Sequence, residues 1–250
     1  MILAERDDMI KGMFRTLIFI IVCLAIPFAY QRISPFRSNM CLTSLPYKTE
    51  VFQDIPEVLF RPFSYLAEGT QSYVFLSEDG KTVLKLFKRG GELPLAACEL
   101  AYENRDLTQV TFLHFHPQRL FPVVKVFDQW GRIHRVEGPF LLQRKAGGFF
   151  ASLKKAEDKR VLIDSFFSLL EELNRRGIAN LDTSLGRNFG FIDGQAIPID
   201  FGKFVYDPNV DNIPHFTKRF KKWAERRIPD QVAYIQGKAE ESDFIGGKVM

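Results

Sequence analysis

Cysteine is scarce in this chain and poorly placed for cross-linking. Cys23, Cys41 and Cys98 are an odd number with no metal-ligand spacing. That pattern argues against a disulfide framework and a thiol-based zinc site, and the three read as reduced thiols. An excess of one charge is lacking as well. A net charge of +4 is too mild to argue for a nucleic-acid partner, and none is expected. No internal repeat is visible. What remains is an ordinary globular composition: 250 residues, 46% apolar and 26% charged, enough to bury a sizeable core and unlike a disordered chain.

One long apolar run stands near the N-terminus. Residues 1–12 form a polar tail, and Met13 to Tyr30 is apolar except for Arg15. Thr16 to Tyr30 carries no charge but falls short of the about 20 residues that cross a hydrocarbon core upright. Met13 and Phe14 extend the run if Arg15 snorkels. Two readings stand, an uncleaved transmembrane or signal-anchor helix over 13–30 and a cleaved signal peptide. The anchor is preferred because Pro27 and Ala29 make a poor cleavage site. Arg6, Lys11 and Arg15 on one side are matched by Arg32, Arg37 and Lys48 on the other, so basic residues do not set its orientation. Residues 31–60, with Pro35, Pro46 and Pro56 among polar residues, read as a linker.

The chemistry-bearing stretch is Ile178 to Gly202. Phe189 to Ile192 and Ala196 to Ile199 are short apolar runs joined by Asp193-Gly194, a hairpin signal. Asp182 precedes the first run and Asp200 follows the second, so both carboxylates emerge at one end of the hairpin. Two acids facing one small volume suit phosphoryl transfer, in which the protein holds metal-bound phosphates in line with an acceptor hydroxyl.

The same residues carry a family resemblance. Asp200-Phe201-Gly202 reads as the DFG motif and Asn180-Leu181-Asp182 takes the place of HRD, so the segment resembles the catalytic core of the protein-kinase-like fold. Upstream, Leu66 to Val74 aligns with the glycine-rich loop, keeping Gly69 with small residues at Ala67 and Ser72, and Val83-Leu84-Lys85 aligns with the strand lysine. A helix is read over Leu93 to Leu107. It offers Glu99 and Glu103 on nearly one face, and Glu103 is preferred as the partner of Lys85. After it, Pro122 to Phe127 resembles the fourth strand, with His114 and His116 in the loop before it. Pro139 to Gly148 resembles the fifth strand and the hinge. An amphipathic helix follows over Lys159 to Arg176, with Val161, Leu162, Phe166, Leu169, Leu170 and Leu173 as its apolar stripe.

The resemblance implies an α+β, two-lobed protein-kinase-like fold, with a β-rich N-lobe and a shortened helical C-lobe over residues 61–236. A flexible tail over 237–250 would follow it, and the hydrophobic N-terminal helix would precede it. The implied cofactors are ATP and Mg2+. Asp182, Lys85 and Glu103 would be catalytic, and Asp200 and Asn188 would hold metal. Ala67, Gly69, Ser72, Val74 and Lys85, with the main chain around Gln143 and Lys145, would contact the nucleotide.

The departures from the pattern bear on activity. Leu181 replaces the arginine that meets a phosphorylated activation loop, and no Ala-Pro-Glu motif follows Gly202. Arg187 occupies the place of the metal-binding asparagine, with Asn188 one residue later. Two functions are therefore expected: an ATP-dependent phosphotransferase acting on a hydroxyl acceptor, a protein Ser/Thr or a small molecule of unknown identity, or a catalytically impaired pseudokinase that acts as a membrane-anchored nucleotide-binding or scaffold protein. The chain is expected in the membrane as a single-pass protein, its kinase-like domain in the cytoplasm, where ATP is available. The basic stretch 214–227 offers a contact for anionic lipid.

Overall fold

The computed structural model describes residues 56–88, 95–114, 124–136 and 139–246. The expected anchor at 13–30 and most of the linker lie outside the described residues. Within them, no helix is long and apolar enough to cross a membrane. The linker reading ends earlier than expected, since Glu57–Phe60 forms a 3-10 turn whose Leu59 is buried.

The described residues form a mixed α+β structure with a β-rich lobe and a helical lobe. In chain order the elements are β1 (Phe63–Glu68), β2 (Ser72–Ser77), β3 (Thr82–Phe87), α1 (Leu95–Glu103), α2 (Arg105–Thr108), β4 (Val110–His114), β5 (Val124–Phe127), β6 (Ile133–Val136), β7 (Phe140–Arg144) and β8 (Gly147–Gly148). Then come α3 (Phe149–Lys155), α4 (Lys159–Arg175), β9 (Ile178–Asn180), α5 (Leu185–Asn188), β10 (Phe189–Ile192), β11 (Gln195–Pro198), β12 (Phe204–Tyr206), α6 (Asn212–Arg227) and α7 (Val232–Gly246).

Seven strands make the first sheet, in the order β4-β7-β3-β2-β1-β5-β6. The meander β1-β2-β3 follows from alternation and turn chemistry. Tyr73 and Phe75 point inward from β2. The β2-β3 turn is closed by Asp79, whose Oδ1 accepts from Ser77 Oγ and from Lys81 N at 3.0 Å. β3 lies between β2 and β7, and Val83, Leu84, Leu86 and Phe87 are all buried.

Strand identity departs from the sequence reading at one place. Val110–His114, rather than Pro122 to Phe127, pairs beside β7. The later run is split from the meander and joins the opposite edge, where β5 pairs parallel to β1 at Phe63 and Ser64. His114 accordingly sits inside β4, buried against the Phe140 ring 5.2 Å away, rather than in a loop. His116 lies outside the described residues.

In the helical lobe, α4 starts at Asp158, whose side chain accepts from Arg160 N. It buries Leu162, Ile163, Phe166, Phe167, Leu169, Leu170 and Leu173. Val161, expected in the stripe, is exposed instead. Phe166 meets Phe149, Phe189 and Phe220 edge to face at 4.8–5.7 Å. Contacts of this geometry add to what burying the rings already contributes. The chain beyond residue 236 is not a frayed tail over its described part. α7 runs to Gly246 and packs on α4, with Ile235 and Ala239 buried and Tyr234 Oη donating to Asp164 at 2.7 Å.

Candidate functional site

The β10-β11 hairpin positions the carboxylates as its sequence suggests. Asp193 and Gly194 both take positive φ, 50° and 81°, the backbone of a type I′ turn that fits the strand twist. At the other end of the hairpin the main-chain oxygen of Asn188 accepts from Ile199 N at 2.7 Å and Asp200 N at 3.4 Å. The residue entering the hairpin is thereby joined to the one leaving it.

Asp182 is braced on every side by local bonds. Its N–H donates to Asn180 Oδ1 at 3.1 Å, its Oδ1 accepts from Ser184 N at 2.9 Å, and its main-chain oxygen accepts from Asn188 Nδ2 at 2.7 Å. Burial alone would raise its pKa. The Ser184 N–H, the Asn188 amide and the charges of Arg187 and Lys203 outweigh burial and hold the carboxyl below the usual range. Asn180, which stands in the place of a histidine, therefore caps the loop. Asn212 supports it from below, its Oδ1 accepting from Asn180 N at 3.3 Å and its Nδ2 donating to Ile178 O at 2.9 Å.

The short helix α5 turns Arg187 and Asn188 in opposite directions. Asn188 is 1% exposed and turned inward, whereas Arg187 is exposed and donates from Nε to Ser184 Oγ at 3.0 Å. Asn188 Oδ1 has no hydrogen-bond partner among the described residues. A buried amide oxygen left in that state is costly unless a ligand meets it. With the exposed carboxylate of Asp200 it offers a hard, oxygen-only donor set of the kind Mg2+ takes. Among the described residues no three His, Cys, Asp or Glu side chains gather to hold a metal, so water or phosphate oxygens would complete the coordination.

Across from these acids, Lys85 sits mid-strand in β3, between Val74 of β2 and Leu141 of β7. Its Nζ donates to Ile199 O and lies 4.7 Å from the centre of the Phe201 ring. Burial pushes its pKa below that of an ordinary lysine, and the Asp200 charge pulls it back. The expected ion pair with Glu103 is not formed. The inward face of α1 is Ala97, Cys98 and Ala101, and Glu103 lies about 140° round the helix from Cys98, exposed. Glu99 is only part-buried, and burial and the charge of Glu103 push its carboxyl up. The α1 side chain that senses Lys85 and Asp200 is the thiol of Cys98, pushed up to about 12 by burial and therefore neutral.

The glycine-rich loop is the three-residue tip Gly69-Thr70-Gln71, closed by Gly69 N donating to Ser72 O at 2.8 Å. Ala67 pairs with Val74 on the loop's stem, and Ser72 with Phe87. Gln71 was not anticipated from sequence. Its side chain reaches Gly202, where a methyl group would collide with Gln71 Oε1 and stand 3.5 Å from Asp200 Oδ1. The loop tip thus touches the DFG turn directly.

At the expected hinge, several donors are already engaged. Gln143 is an interior residue of β7, paired with both Val83 and Val110, and its buried Nε2 donates to Thr108 O and Pro198 O at 2.7 and 2.8 Å. The N–H groups of Arg144 and Lys145 are taken by Gln109 O and Lys81 O. None of these donors is free for an adenine edge.

No family model matches the chain, and no curated protein matches it. Among solved structures it is similar to one described as the ROP18 kinase domain in complex with AMP-PNP and sucrose, at 19% identity and a TM-score of 0.38. The match covers 57% of this chain and 51% of that one, so the chain spans about half that structure's length.

Proposed function

We propose that this chain has a protein-kinase-like fold, binds ATP between its lobes and passes the γ-phosphoryl group to a hydroxyl acceptor. One observation carries the reading. Asp182, Asn188 and Asp200 are tied together at one end of the β10-β11 hairpin, and Lys85 reaches the Ile199 carbonyl next to Asp200. In this reading Lys85 meets the phosphates and Asp182, kept ionised, accepts the acceptor's hydroxyl proton or orients that hydroxyl. Gln71 closes the loop over the transfer site. Mg2+ held by Asp200 and Asn188 would neutralise charge on the phosphates.

A second reading, that of a nucleotide-binding pseudokinase, is favoured by the lack, among the described residues, of an α1 glutamate paired with Lys85. The test is ATP binding and ATP consumption by the purified full chain with Mg2+ and candidate hydroxyl acceptors. Asp200→Ala should remove Mg2+-dependent binding and turnover together. Asp182→Ala should keep binding while turnover falls by about 10²–10⁴-fold. Binding that responds in this way without turnover by the wild type on any acceptor would favour the pseudokinase. Binding unchanged in both variants would refute the site.

The membrane location is part of the same proposal, with residues 13–30 as anchor and the domain in the cytoplasm. It is supported by the apolar run and by the exposed Lys218, Arg219, Lys222, Arg226 and Arg227 on α6, which suit anionic headgroups. Recovery of the full chain in the soluble fraction would refute it.

A further inference from the structure

Two cations border Asp182, and the nucleotide machinery uses neither of them. Arg187 is fixed by its single bond from Nε to Ser184 Oγ, while Ser184 N donates to Asp182 Oδ1. Ser184 therefore joins guanidinium to carboxylate, and the two terminal guanidinium nitrogens have no protein partner among the described residues. Lys203 is placed from the other side. Its main-chain oxygen accepts from Leu181 N at 3.2 Å, which sets its backbone beside the residue preceding Asp182, and its side chain is exposed. Its ammonium makes no hydrogen bond or ion pair among the described residues.

Several arginines elsewhere in the described residues are paired with acids. Arg144 meets Asp193, Arg175 meets Glu172, and Arg176 meets both Glu172 and Asp106. The charges of both Arg187 and Lys203 reach Asp182, so an acceptor hydroxyl standing there would have two cations beside it. A guanidinium held at Nε with its outer edge open is suited to a two-pronged contact with an oxyanion.

We propose that Arg187 and Lys203 bind an anionic group of the acceptor, so that the substrate is a hydroxyl compound carrying a phosphate or carboxylate. The proposal rests on the phosphotransferase reading for the word acceptor, but the anion site itself can be tested without turnover. Inorganic phosphate is the probe, titrated calorimetrically into the full chain at low ionic strength, with and without AMP-PNP and Mg2+. A second arm uses acetate, to separate phosphate from carboxylate chemistry.

Wild type should bind at least one of the two anions. Arg187→Ala and Lys203→Ala should each weaken that binding by about tenfold, with Arg187→Lys retaining part of it, and nucleotide affinity should change less than about twofold. Three outcomes would overturn the proposal: wild type binding neither anion, the double variant binding as well as wild type, or nucleotide affinity falling in parallel. The last would assign both cations to the γ-phosphate. If AMP-PNP does not bind wild type at all, the function proposed above falls, and the nucleotide-free arm decides the anion site by itself.

Discussion

The two sides of the candidate site, an acid wall and a lysine wall, are held by different means. On the acid wall, Asp182 and Asn188 are fixed by side chains that bond back to nearby main chain, with Asn180 and Asn212 continuing the network into β9 and α6. On the lysine wall, Lys85 depends on sheet pairing, on a carbonyl from the opposite wall and on the ring of Phe201. The acid wall is thus specified within about thirty residues of sequence, whereas the lysine wall depends on how α1 and the DFG segment pack against the sheet. A short-range network fixes atoms tightly. A packed ammonium bonded to a carbonyl rather than directly to a carboxylate is placed but weakly satisfied.

The comparison breaks most sharply at Asn212. Asn212→Leu would strand the Asn180 N–H, the Ile178 carbonyl and Asn174, and should destabilise the fold by on the order of 3 kcal/mol in urea unfolding. A loss under about 0.5 kcal/mol would show that the acid wall is not held by this network.

Lys85→Met should behave in the opposite way. Stability should hold or rise, because a desolvated ammonium is removed, while ATP affinity falls by about tenfold. A large loss of stability would mean that the lysine wall is as firmly bonded as the acid wall.

A third effect, smaller again, belongs to the tie between the walls. Arg176 joins the end of α4 to Asp106 of α2 and to Glu172. Hydrogen bonds from Arg175 come first among the causes that hold the Glu172 carboxyl down at about 2, with Arg176 adding to them. A folded-state pKa below the unfolded value gives stability that is present above the ordinary glutamate range. It is lost as pH falls from the ordinary value of 4.5 toward 2. Melting temperature should drop over that window, and the drop should be shallower in Arg176→Met. An unchanged slope would remove the tie from the account.

Smallest of all is Glu103→Ala, expected to change stability by less than about 0.5 kcal/mol and to leave ATP affinity alone. A clear fall in affinity would restore the carboxylate that α1 turns away from Lys85.

Legibility in the sequence follows the same division. The Asp193-Gly194 turn, the stripe of α4 and the convergence of Asp182 and Asp200 were readable because each is set by local spacing. The displaced Asn188 was legible as a question, and one turn of α5 sets it inward and Arg187 outward. The roles of Glu103 and Gln143 were not readable. A helix of nine residues rich in small apolar side chains has no single obvious inner face, and its rotation is decided by β12 and the sheet. Val110–His114 and Val124–Phe127 are both short apolar runs, and nothing within either says which edge of a sheet it will join. Residues 237–246 read as a tail because their polarity hides the few positions, such as Ala239, that α4 and α6 bury. Gln71 gave no signal at all, since its contact depends on two lobes meeting.

The parallel pairing of β5 with β1 has a mechanical meaning. It engages Phe63 and Ser64 only, while among the described residues Tyr65 to Glu68 keep a strand neighbour on the β2 side alone. β1 is thus a cantilever, clamped at its root and loaded at its free end, and the irregular register between Tyr65 and Ala67 is the natural place for it to flex. The unclamped length is short, bulged and ends in the charged Glu68. The same few residues that can bend toward a ligand therefore make a poor template for a strand from another chain.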